Sequence, residues 1–77
     1  MREYRVIDDS IKWVGDVWHI EVDGVYFLVS RANTFDRGDE TMIFAGDEHG
    51  KVTNWADLYA GYGEDHETAI RNWLDEL

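Results

Sequence analysis

The chain has no cysteine, and its 77 residues hold only seven lysines and arginines against seventeen acids. Without cysteine there is no disulfide scaffold and no thiolate metal site, and nothing points to an oxidising compartment. No apolar run nears the ~18 residues that span a bilayer. The opening MREYRVIDD has no hydrophobic leader core. The expectation is a soluble, cytoplasmic protein with no membrane partner. Scarce cations also remove the basic groove on which direct nucleic-acid binding depends. Catalytic signatures are missing too. Ser10, Ser30 and the threonines sit in no nucleophile elbow, and His19, His49 and His66 have no motif around them. A chain this short has little material for both a core and a water-excluding cleft, so the reading is non-enzymatic, with no cofactor.

What is present is acid and apolar surface. Hydrophobic residues make up 44% of the chain and aromatics 14%, too much for a disordered segment, and one domain over residues 1–77 is expected. The formal net charge is −10, divided unevenly as −2 over residues 1–35 and −8 over residues 36–77. Such a field repels nucleic acid and anionic membranes and attracts basic protein surfaces. It also serves plain solubility, and the bias to Asp over Glu and Arg over Lys fits high-salt adaptation or codon composition.

The clearest structural instruction is VWHIEVDGVYFLVS, Val17 to Ser30, two strands joined by an Asp23-Gly24 turn. A two-residue turn sets Val22 opposite Val25, Ile20 opposite Phe27 and Trp18 opposite Val29, all on one apolar face. Before it, Arg2 to Ile7 reads as an edge strand broken at Asp8-Asp9-Ser10, and Ile11 to Val14 continues or covers the sheet. After it, Arg31 to Glu40 has the composition of a long loop. Thr41 to Gly46 reads as an interior strand, apolar on both faces. Asp47 to Gly50 is a hairpin loop into Lys51 to Thr53. Asn54 is a candidate cap for a helical turn over Trp55 to Tyr59, ended by Gly61-Tyr62-Gly63. Glu64 to Leu77 is a helix capped by Asp65, with Ala69, Ile70, Trp73, Leu74 and Leu77 in one apolar stripe. The fold class expected is α+β, a four- or five-stranded antiparallel sheet with the C-terminal helix packed on one face.

Among side-chain groupings, Asp36, Asp39 and Glu40 lie close in sequence, as do Asp47, Glu48 and His49, but neither run has the ligand spacing of a calcium loop, and no metal site is assigned. Arg37-Gly38-Asp39 matches an integrin-ligand tripeptide by chance frequency alone. Trp18, Phe27, Phe44 and Trp73 read as core, while Trp13, Tyr59 and Tyr62 are candidates for interface anchors.

The remaining signal is the acidic half. Asp36, Asp39 and Glu40 flank one end of the Thr41–Ala45 strand and Asp47 and Glu48 the other, ~17 Å apart at about 3.4 Å per residue. Glu64, Asp65 and Glu67 extend the set. Carboxylates held on a rigid sheet can occupy the Lys and Arg sites of a protein that grips phosphates, which is DNA mimicry. A small, acidic, cysteine-free, aromatic-rich domain without an active-site motif resembles the phage-encoded anti-CRISPR proteins. The segment ETMIFAGDEHGKVTNWADLYAGYG, Glu40 to Gly63, is similar to small phage or prophage proteins. The resemblance is one of type, carried by composition and layout, and it transfers no individual residue role. It implies an inhibitor that binds the basic, nucleic-acid-binding surface of a CRISPR effector complex in a bacterial host and blocks target DNA. The alternative is a small structural or assembly module acting as a homodimer through an apolar sheet face or edge.

Overall fold

Asp23 and Gly24 both take positive φ, 52° and 81°, and so form the tight turn that sets the sheet's register. The computed structural model describes residues 2–77. It contains β1 (Arg5–Trp13), β2 (Gly15–Val22), β3 (Val25–Thr34), β4 (Gly38–Gly46), β5 (Val52–Tyr62) and α1 (His66–Glu76). The strands form one antiparallel meander in chain order, followed by the helix, an α+β fold. Val22 pairs with Val25, Ile20 with Phe27 and Trp18 with Val29, as the two-residue turn requires. Val25, at the hairpin's tip, is nonetheless exposed.

One sheet face packs on α1. Ile20, Val22, Val29 and Ile43 meet Ile70, Trp73 and Leu74, and Tyr4, Trp18, Phe27 and Tyr59 close the margins. Phe27 and Trp73 meet edge to face at 4.6 Å between ring centroids. Asp65 caps the helix by accepting from the Thr68 N–H at 2.7 Å. Leu77, placed in the buried stripe by its spacing, lies past the last turn and is exposed. His66 takes a place in the core instead: its ring stacks on Trp18 at 4.7 Å and its Nε2–H donates to the Asp16 carbonyl.

Three stretches differ from the sequence reading. Arg31 to Glu40 is not a long loop: β3 runs on to Thr34 and β4 begins at Gly38, leaving a three-residue turn. Its polar residues bond across the ladder, with Asn33 and Arg31 donating to Asp39 and the Thr34 hydroxyl to the Gly38 carbonyl. The Trp55–Tyr59 segment is not helical but part of β5, because pairing with β4 resumes at Ile43–Tyr59 after a bulge beyond Ala45–Asn54. Asn54 does accept from the Ala56 N–H, yet this local bond shapes the bulge instead of starting a helix. Asp8-Asp9-Ser10 likewise bulges β1 without ending it, and Asp8 accepts both the Ser10 N–H and its hydroxyl.

Glycine matters most at Gly15, where φ is +81° and an added Cβ would stand 2.1 Å from the Arg31 carbonyl oxygen. At Gly24 the same φ meets open space. Urea unfolding should therefore show Gly24→Ala less stable by about 1–2 kcal/mol, the cost of a left-handed residue. Gly15→Ala should lose clearly more, since backbone must move to admit the methyl group. Equal losses would mean the strand edge shifts freely there.

Candidate functional site

The meander has a second face, turned away from α1, and much of it is apolar as well, although His19, Glu21, Ser30 and Glu40 also lie on it. Val17, Leu28, Ser30, Met42 and Phe44 alternate with the core residues along β2, β3 and β4. Over them lean two tryptophans from the outermost strands: Trp13 at the end of β1 and Trp55 in the bulge of β5. Their ring centroids are 5.2 Å apart at 51°, and Trp55 also meets Phe44 edge to face at 5.4 Å. Four strand spacings of about 4.8 Å would put the two edges ~19 Å apart in a flat sheet. The contact therefore requires the sheet to curl, and the bulges in β1 and β5 supply the bend. Both indoles remain about 60% exposed (Trp13 60%, Trp55 59%), so the pair roofs a trough that is still open to solvent.

The tryptophans divide this trough. One compartment, about 330 Å³, lies over Val17, Leu28 and Ile11, with Lys51 at its rim. The other, about 290 Å³, lies over Ala32, Met42 and Thr34 and carries Glu40. Glu40 has no hydrogen-bond or ion-pair partner among the described residues. Lys12, next to Trp13, pairs with Asp16, and Arg37 is engaged by Tyr62, donating to its hydroxyl and lying 5.1 Å from its ring centre.

The eight acids singled out in sequence fall into distinct places. Asp39 sits on the helix side, 2.7 Å from Arg31, and Glu64 accepts from the Tyr59 hydroxyl at 2.8 Å. The Glu64 carbonyl takes both Arg31 Nε–H and the Thr41 hydroxyl, which pins the β5–α1 connection to the sheet. Asp65 caps α1, and Glu67 pairs with Arg71 at 3.7 Å. Asp47 accepts from the N–H groups of Lys51 and His49 and so closes its own loop. Glu48 lies beside His49 in that loop, at the far end of β4 from Asp36 and Glu40. Asp36 stands in the β3–β4 turn next to Phe35, which is fully exposed. The Asp36–Glu40 and Asp47–Glu48 clusters thus lie toward opposite ends of the nine-residue β4, with Glu40 and Asp47 seven residues and up to ~24 Å apart, more than the expected ~17 Å.

Trp55 and Phe35 were not recognised in sequence. The usable signal for Trp55 was the alternation of Met42 and Phe44 against Ile43 and Ala45, which implies an apolar second face that needs a cover. The histidines are structural where buried: His19 is 4% exposed and its Nε2–H donates to the Asp47 carbonyl. Among the described residues, no three His, Asp or Glu side chains converge as metal ligands, and no helix is long and apolar enough to cross a membrane. Comparison with protein-family models, with curated proteins and with solved structures returns no match.

Hydrogen bonds from the Lys51 N–H, and then that of His49, hold the Asp47 carboxyl below its ordinary pKa; the Thr68 hydroxyl and N–H do the same for Asp65. A depressed folded pKa adds stability that is complete above the unfolded carboxylate range and is lost as pH falls through the folded value. Stability should thus hold down to about pH 4 and decline below it. Asp47→Asn with Asp65→Asn should flatten that acid limb in thermal melts. An unchanged limb would place acid sensitivity elsewhere.

Proposed function

We propose that this protein is a non-enzymatic binding module that engages a basic, nucleic-acid-binding surface of another protein and keeps DNA from it. The observation that carries the reading is the net charge of −10, of which −8 lies in residues 36–77. Of the eight acids considered, Asp36 and Glu40 have no partner within the described chain, and Glu48 faces only His49, so these three are free to meet cations of a partner. They stand on or beside one rigid strand, which lowers the ordering cost of binding. The resemblance to phage-encoded anti-CRISPR proteins makes a CRISPR effector complex in the bacterial cytoplasm the first partner to test.

A homodimeric assembly module is the second reading. Trp13, Val14, Trp55 and Tyr62 are exposed apolar groups, and a second copy could cover them.

The structure dictates which acids to reverse. Asp39 and Asp47 hold the fold together, so the informative variant is Asp36→Lys with Glu40→Lys and Glu48→Lys. Its circular dichroism and melting should match the parent. Its capture of a basic effector at about 0.1 M salt should disappear, and parent binding should weaken steeply as salt rises. Equal capture by parent and variant would sink the charge-based reading. A parent whose mass doubles with concentration in light scattering, and which captures no effector, would favour the assembly module.

A further inference from the structure

The trough beneath Trp13 and Trp55 has a polarity that plain cover for a sheet does not need. Both ends are mostly apolar, but the only charged side chain lining one is Lys51, while the other joins the unpaired Glu40 carboxylate to exposed indole surface and Met42. Aromatic faces carry negative potential and attract cations lying within about 6 Å of the ring centre. The protein already uses this contact at its surface, with Arg37 over Tyr62 and Arg71 over Tyr4, at 5.1 and 5.7 Å. Lys12 is paired with Asp16, Arg31 with Asp39 and Arg37 with Tyr62, while Lys51 lines the other compartment and no Lys or Arg lines this one. The Glu40 compartment therefore lacks a cation of its own, in a molecule whose whole field draws cations in.

We propose that this trough receives an arginine side chain from an extended basic segment of a partner protein, with the guanidinium at Glu40 and an apolar side chain two residues away, on the same side of the segment, in the Lys51 compartment. The indole centres are 5.2 Å apart, less than the ~7 Å a cation needs between two ring faces, so the guanidinium lies beside the pair and not between the rings. Glu40 offers two oxygens to its planar fork, and the indole beside it supplies a stacking surface. The compartment of about 330 Å³ is of a size to take an aliphatic side chain whole. The inference deepens the proposed function and rests on it for the nature of the partner: it says where on the acidic module the basic partner is gripped.

The test uses the intact protein and two synthetic probes, acetyl-Leu-Gly-Arg-amide and its citrulline counterpart, which replaces the guanidinium with a neutral isostere. The four tryptophans give separate indole N–H signals in NMR, and Trp18 and Trp73, on the helix side of the sheet, serve as internal controls. The arginine probe should shift the signals of Trp13 and Trp55 saturably and leave the controls in place. The citrulline probe should bind about fivefold or more weakly, and Glu40→Gln should erase that difference while leaving the fold intact. Equal binding of the two probes would overturn the cationic site, as would shifts spread over all four indoles. Trp13 and Trp55 signals that move with protein concentration, without any probe, would assign the trough to a second copy of the chain and overturn it as well. The wider reading fails separately. If Asp36→Lys with Glu48→Lys keeps probe binding but no basic effector is captured by any form, the trough stands and the inhibitor does not. If effector capture survives Glu40→Gln and the probes never bind, the reverse holds.

Discussion

One helix can cover one face of a sheet, and this sheet is apolar on both. That mismatch governs the molecule. On the helix side, Ile20, Val29, Ile43 and Ile70 reach complete burial and make a conventional core. On the other side the described residues form no second helix, so the cover comes from the sheet itself. Bulges in β1 and β5 roll the edges inward until Trp13 and Trp55 touch above Phe44. The cover stays partial because two indoles, however placed, cannot shield three strands. A solvent-open aromatic trough is therefore a geometric consequence of building five strands and a single short helix from so few residues.

The acids divide by the same logic of scarce material. With seven cations in the chain, most acids cannot be neutralised by pairing, and the protein uses several as acceptors for backbone N–H groups and hydroxyls instead. Asp65 caps the helix, Asp47 closes a hairpin, Asp8 braces a bulge, and Glu64 ties Tyr59 to the helix side. Each bond of this kind turns a surface charge into a piece of fold. What these bonds leave over is a smaller set of acids without such partners, at the two tips of β4 and at the mouth of the trough.

This division explains what could be read in the sequence. The Asp23-Gly24 hairpin and the capped C-terminal helix follow from local rules, and both stand in the structure with the expected register and cap. Local rules misled where long-range pairing decided. Asn54 satisfied the composition of a helix cap, but β4 was available as a partner and drew Val52–Tyr62 into the sheet. Arg31 and Asn33 looked like loop residues until Asp39 stood across from them on the ladder. For the candidate site, residue types alone could not separate Asp39, which the fold consumes, from Asp36, which it leaves free. Trp13 was legible as a surface aromatic. Its meeting with Trp55 was not, since it depends on curl contributed by two bulges at opposite ends of the chain.

Charge and aromatic surface then converge for a common reason. An edge strand that rolls over the open face brings its neighbours with it, and Glu40, paired with both Ala32 and Tyr62, sits where the rolled ladder ends. Had Glu40 lain one residue earlier or later, the alternation of the strand would have turned it toward the helix side, where Asp39 and Thr41 find partners. The parity of β4 thus decides which acids are spent on stability and which are presented beside the tryptophans. A one-residue slip of that strand would exchange the two roles and would also turn Ile43 out of the core. The core and the placement of the trough's charge are consequently fixed by one register.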